Sequence, residues 1–162
     1  MKTHIIFDWG NTVMRDLNIE GPMKDWPRVE IIPGIDTALK NLSKSYILCI
    51  ATSAVHSNTE DMILALKRAT LDQYFSHFFS SFELGYRKPD PRFFEALMQK
   101  LEIDPENVIS VGDKYENDIV AARKSGIHAI WFNMKNDPGE YPEADLIISQ
   151  MSQLEEAISM IP

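Results

Sequence analysis

Cysteine is almost absent: Cys49 stands alone, so the chain holds no internal disulfide. It lies in an apolar run and reads as a small buried hydrophobe. Histidine is sparse as well, and His4, His56, His77 and His128 show no metal-ligand spacing, so they read as structural. No apolar stretch is long enough to cross a bilayer, which predicts no membrane partner. The first apolar run meets Asp8 too early for a signal peptide, and a cytoplasmic location is expected. Positive charge is also short. Sixteen Lys and Arg stand against 24 Asp and Glu, a net charge of −8. Such a balance argues against DNA or RNA, whose phosphate backbone needs a basic surface. Small phosphate substrates stay open, because a metal ion and one lysine reverse the sign locally. Repeats, low-complexity tracts and composition breaks are missing too, and residues 1–162 read as a single domain.

What is present alternates. Short apolar runs bounded by polar turns read as strands: Ile5–Phe7, Tyr46–Ala51, Phe78–Phe82, Val108–Val111, Ala129–Phe132 and Leu146–Ile148. Their unbroken apolarity predicts strands covered on both faces, as in a parallel sheet. Between them, apolar residues recur at helical spacing. The sets are Ile35, Ala38, Leu39 and Leu42; Met62, Ala65, Leu66 and Ala69; Phe94, Leu97, Met98 and Leu101; and Leu154, Ala157, Ile158 and Ile161. Asp90 before Pro91 predicts a capped helix start. Ser152 with Glu155 predicts a capping box, and Gly126 a helix stop after Ile119 and Ala122. The pattern predicts a doubly wound, Rossmann-like α/β sheet flanked by helices. One irregular stretch, about 14–33, with Gly21, Pro22, Asp25, Trp26 and Pro27, reads as a flap: a loop or short hairpin. Trp26 is a candidate partial lid. Trp9 reads as packing or as part of the entrance.

In such a sheet ligands bind beyond the carboxyl ends of the strands. The residues that follow the apolar runs are Asp8, Thr52 with Ser53, Lys88 at some distance, and Gly112 with Asp113. If Asp118 joins them, three carboxylates, one ammonium and one or two hydroxyls are expected to converge on one crevice. Clustered carboxylates favour a hard cation such as Mg²⁺. A lysine balances charge and holds an anion, and hydroxyl and backbone N–H groups grip phosphate oxygens. A carboxylate can also attack phosphorus to form an aspartyl-phosphate.

Four segments in this order resemble the motifs of the haloacid dehalogenase superfamily of hydrolases and span nearly the whole chain. Ile5-Ile6-Phe7-Asp8-Trp9-Gly10-Asn11-Thr12 is similar to the family's Asp-x-Asp-x-Thr. Ile50-Ala51-Thr52-Ser53 is similar to its strand ending in Thr or Ser, and Gly85-Tyr86-Arg87-Lys88-Pro89-Asp90-Pro91 to its Lys-Pro-Asp-Pro. Val111-Gly112-Asp113 with Asn117-Asp118 is similar to its Gly-Asp-x-x-x-x-Asp. The resemblance implies Asp8 as nucleophile and Mg²⁺ ligand, Thr52 and Ser53 as phosphoryl binders, and Lys88 as stabiliser of the nucleophile and the transferring group. It implies Asp113 as a further direct Mg²⁺ ligand and Asp118 as a direct or water-mediated one, with the backbone carbonyl of Gly10 completing the set. The expected substrate is a small phosphorylated metabolite or a phosphoprotein.

Gly10 departs from the pattern. The family's phosphatases carry an aspartate there as general acid and base, help worth about 10²–10⁴-fold in rate. Slow hydrolysis of alkyl phosphates is therefore expected, with acyl and aryl phosphates less affected. Asn11 does not titrate usefully. Glu116, His56, Asp16 and Asp25 are candidate substitutes. No long insertion supplies a cap, so the site is expected to be open, compatible with a lid from a neighbouring subunit of a homo-oligomer. The alternative reading is a binding or regulatory domain of this fold with weak or no turnover. A phosphoacceptor receiver domain fits poorly, because it needs an acidic pair after the first strand and its acceptor after the third.

Overall fold

The computed structural model describes all 162 residues. Six parallel strands form one sheet: β1 (His4–Phe7), β2 (Ile47–Thr52), β3 (His77–Ser80), β4 (Val108–Gly112), β5 (His128–Phe132) and β6 (Leu146–Ile148). Their spatial order is β3-β2-β1-β4-β5-β6. The chain builds outward from β1 to β3, then returns and builds outward on the other side from β4. That reversal leaves a crevice at the carboxyl ends of β1 and β4, where crossover loops diverge. Register is tight there: Phe7 pairs with Val111, and the Asp8 N–H donates to the Val111 carbonyl at 2.9 Å.

Side-chain alternation along the strands divides the core into two layers. Ile5, Phe7, Leu48, Ile50, Ile109 and Val111 face one way and pack against helices α1 (Ile35–Leu42), α2 (Thr59–Arg68) and α6 (Leu154–Met160). Ile6, Cys49, Ala51, Val108, Ala129 and Trp131 face the other way. They meet α3 (Ser81–Leu84), α4 (Arg92–Leu101) and α5 (Ala121–Lys124). Burying both faces explains the unbroken apolarity of the runs. Cys49 is buried, and burial pushes its thiol up to about 12, so it is an inert hydrophobe. No helix is long and apolar enough to cross a membrane.

Local chemistry shifted some boundaries. The expected strand through Phe82 ends at Ser80, because Ser80 and Glu83 form a reciprocal capping box that starts α3 and leaves Phe82 exposed. The box expected at Ser152 and Glu155 forms instead between Gln150 and Gln153, two residues earlier, on a 3-10 turn leading into α6. Pro91 already has helical dihedrals, and Asp90 still accepts from the Arg92 N–H at 3.0 Å. Ahead of α5 the chain makes a wide π-helical turn, Tyr115–Val120. The 14–33 stretch is irregular, as its composition predicts, but tied down. Met14 bridges to Gly10 and to Ile31, the Ile32 N–H donates to the Val13 carbonyl, and Met23–Asp25 form one 3-10 turn.

Candidate active site

Every candidate side chain except Lys88 leaves a strand end or the turn that follows it. Asp8 follows β1, Thr52 closes β2, Asp113 follows β4, and Asp118 sits in the π-helical turn after it. Lys88 arrives on the loop between α3 and α4, where its backbone N–H donates to the Ser53 hydroxyl at 3.0 Å. Its ammonium is buried and donates to Asp8 Oδ1 at 3.0 Å, Asp118 Oδ1 at 2.8 Å and the Ala51 carbonyl at 3.1 Å. All three protons of the ammonium are thus satisfied.

Thr12 bridges two of the acids. Its hydroxyl lies 3.3 Å from Asp8 Oδ2 and 3.2 Å from Asp113 Oδ1. Asp118 Oδ2 accepts from the Lys114 N–H at 3.0 Å. The indole N–H of Trp131 donates to the Asp113 carbonyl at 2.9 Å and anchors that turn from β5. Asp8, Asp113 and Asp118 each present one oxygen, all within 4.8 Å of one another. Gly112 makes this approach possible, because a β-carbon there would collide with the side chain of Asp118.

Electrostatics follow from one ammonium facing three carboxylates. Burial pulls the Lys88 pKa down, but Asp118 and Asp8 outweigh it and hold the lysine above its ordinary range, so it stays charged. Burial, then the negative charges of Asp8 and Asp118, push Asp113 up to about 8. Burial and Asp8 likewise raise Asp118 to about 6, against the pull of Lys88 and of the Lys114 N–H. The surplus negative charge and the all-oxygen donor set fit a hard divalent cation. Asp8, Asp113 and Asp118 would hold it.

The cleft above these groups has a volume of roughly 550 Å³. Asp8, Thr52, Ser53, Lys88 and Asp118 line it on the sheet side, and Asp16, Met23 and Trp26 form a wall from the 14–33 segment. Arg87 and Lys114 add positive charge at its rim. Asp113 does not line the cleft but shares Thr12 with Asp8. The Thr52 hydroxyl accepts from the Ala54 N–H at 3.0 Å, which leaves its own proton free to donate. Of the four groups considered in place of a carboxylate at Gly10, Asp16 and His56 line the cleft; Asp25 and Glu116 are exposed elsewhere. Sequence reasoning gave no part to Thr12 or Trp131. Thr12 stood in the first motif, four residues after Asp8. The Trp131 contact carries no local signal, because it joins neighbouring strands.

A doubly wound sheet with a lysine-bridged carboxylate cluster at its switch point defines a class of α/β hydrolytic folds built around a strand-end aspartate. The chain belongs to the haloacid dehalogenase-like hydrolases, whose family model matches residues 10–132. A curated relative, glyceraldehyde 3-phosphate phosphatase of Pyrococcus furiosus, is 31% identical over 136 residues, covering 78% of this chain and 54% of the relative. Phosphoserine phosphatase of Thermus thermophilus is 35% identical over 88 residues, covering 53% of this chain and 35% of that protein. The chain therefore spans about half the length, or less, of these relatives. A crystal structure of an uncharacterized protein from Listeria monocytogenes serotype 4b superposes with a TM-score of 0.86 at 25% identity, covering 98% of both chains.

Proposed function

We propose that this chain is a Mg²⁺-dependent phosphohydrolase working through an aspartyl-phosphate on Asp8, with a small phosphorylated metabolite as substrate. The observation that carries this reading is the placement of Asp8. Its carboxylate opens onto the cleft from the central strand, with Lys88 on one oxygen and Thr12 on the other. Relatives named as phosphatases support the same class of chemistry.

Mg²⁺, when bound by Asp8, Asp113, Asp118 and the Gly10 carbonyl, supplies positive charge that offsets the phosphoryl oxygens. The chain's own groups do the rest. Lys88 donates to the Asp8 carboxylate at 3.0 Å and aims it into the cleft. Arg87 and Lys114 draw a phosphate dianion into an otherwise acidic protein. The Thr52 hydroxyl and the turn through Ser53 grip phosphoryl oxygens. An Asp8 oxygen attacks phosphorus as the ester bond breaks, and positioning with charge stabilisation dominates the barrier. Gly10 offers no proton to the departing oxygen, so substrates with good leaving groups are favoured. A second reading, a weakly active or inactive binding domain, draws its support from the same glycine.

The test assays wild type, Asp8→Asn and Gly10→Asp with Mg²⁺ on acetyl phosphate, p-nitrophenyl phosphate and an alkyl phosphate. Wild type is expected to turn over the activated substrates, and Asp8→Asn to be inert. Gly10→Asp should gain at least about tenfold on the alkyl ester, part of the about 10²–10⁴-fold that general acid help supplies. Space allows this substitution: a β-carbon on Gly10 meets only Asp16 Cβ, at 4.0 Å, and the backbone is not left-handed. Silence of wild type and Gly10→Asp on every substrate, with Mg²⁺ still bound, would move the binding-domain reading to the front.

A further inference from the structure

The proposed reaction leaves one requirement without a named group. Water that attacks the phosphoryl group on Asp8 must lose a proton. Asp8, Asp113 and Asp118 are committed to Lys88, to Thr12 and to one another. The remaining proton acceptors lining the cleft are Asp16, Glu20 and His56. All three are exposed, and neither Glu20 nor His56 has a side-chain hydrogen bond to fix its position.

Asp16 differs in being fixed. Its backbone N–H donates to Asn11 Oδ1 at 2.9 Å, and its Oδ1 accepts from the Asn18 N–H at 2.9 Å. Oδ2 takes no hydrogen bond. On either side the chain is pinned: the Asn11 N–H donates to the Met14 carbonyl at 2.6 Å, and the Arg15 N–H to the Glu30 carbonyl at 2.9 Å. Asp16 Cβ is also the nearest atom to the point where a Gly10 β-carbon would stand, 4.0 Å away. The side chain of Asp16 thus starts beside the open position at Gly10, two residues from Asp8, and lines the same cleft with Oδ2 unpartnered.

We propose that Asp16 is a catalytic residue, the general base of the second half-reaction. The inference rests on the aspartyl-phosphate reading above. Water oxygen bonds to phosphorus, the bond from phosphorus to the Asp8 oxygen breaks, and its electron pair returns to the Asp8 carboxylate. Asp16 Oδ2 takes the water's proton and passes it to solvent, and inorganic phosphate leaves. The departing group of the first half-reaction receives nothing from Asp16, so the preference for activated substrates stands.

Kinetics separate this role from a structural one. For p-nitrophenyl phosphate, kcat/KM reports phosphorylation of Asp8, whereas kcat reports the slower hydrolysis of the intermediate. Asp16→Asn keeps the Oδ1 acceptor for Asn18 and so preserves the turn. It should lower kcat about tenfold or more, lower KM in parallel and leave kcat/KM within about twofold. Phosphorylated protein, trapped by acid quench and read by mass spectrometry, should accumulate. In the Asp16→Asn background Gly10→Asp should restore kcat. Equal losses in kcat and kcat/KM, no change in either, or the same accumulation on His56→Gln would overturn the assignment. If wild type forms no phosphoprotein and Asp8→Asn changes nothing, the phosphohydrolase reading falls as well. If wild type turns over, dies with Asp8→Asn and ignores Asp16→Asn, only the role of Asp16 falls.

Discussion

At Gly112 the missing side chain lets a buried carboxylate reach its neighbours. Asp118 packs against that backbone, and its two oxygens are divided between the Lys88 ammonium and the Lys114 N–H. Gly112→Ala would force Asp118 away from a backbone that strand pairing holds in place. Overpacking of this kind costs about 1–3 kcal/mol, before any loss from a buried lysine left with fewer partners. Urea denaturation should show that loss, together with weaker Mg²⁺ binding by titration calorimetry. Unchanged stability and affinity would mean that the turn can shift freely. Gly10 is the opposite case. It stands beside open space, so nothing in its packing demands glycine.

The element that separates this site from an open sheet edge is the 14–33 segment, and its position depends on α2. One nitrogen of the Arg68 guanidinium donates to the carbonyls of Lys24 at 2.9 Å and Trp26 at 2.7 Å, and lies 3.4 Å from that of Met23. Lys24 pairs with Asp61 at 2.8 Å, and Asp61 also closes the capping box with Asn58 that starts α2. The helix therefore holds the cleft wall through two side chains near its ends. Arg68→Ala should cost only about 1 kcal/mol of global stability, since a hydrogen bond that exchanges with water returns little net. Amide exchange at Asp25 and Trp26 should nevertheless rise well above wild type, because the wall loses its main tether. Exchange that stays at wild-type rates would show that packing of Met23 and Trp26 suffices. The 3.6-residue periodicity revealed α2 and its buried face. It carried no trace of Arg68 as a strut, because that contact links residues more than forty positions apart.

For the whole molecule, the charge cluster at the switch point couples folding to pH. Asp113 and Asp118 are both held above the ordinary carboxylate range, so the folded state keeps protons that the unfolded chain releases near pH 4. The sign is then opposite to that of a salt-bridged carboxylate. Metal-free stability is fullest below about pH 4 for these two groups and drains as pH rises toward about 8. Thermal melts without divalent cation should show a falling midpoint from about pH 5 to about pH 8, with the slope reduced in Asp113→Asn. Mg²⁺ should raise the midpoint at the upper end, because a cation replaces the lost protons. A wild-type slope no steeper than that of Asp113→Asn would remove the cluster as its source. By itself the sequence determined the strand–helix alternation, the parallel sheet, the buried Cys49 and the strand-end placement of Asp8, Thr52 and Asp113, because burial and backbone geometry write themselves into spacing. Only the tertiary structure decided that Lys88 spans Asp8 and Asp118, that Thr12 ties Asp8 to Asp113, that Trp131 anchors the Asp113 turn, and that Asp16 lines the cleft near Gly10. Those contacts depend on how separate loops meet above the sheet, and local patterns do not encode that meeting.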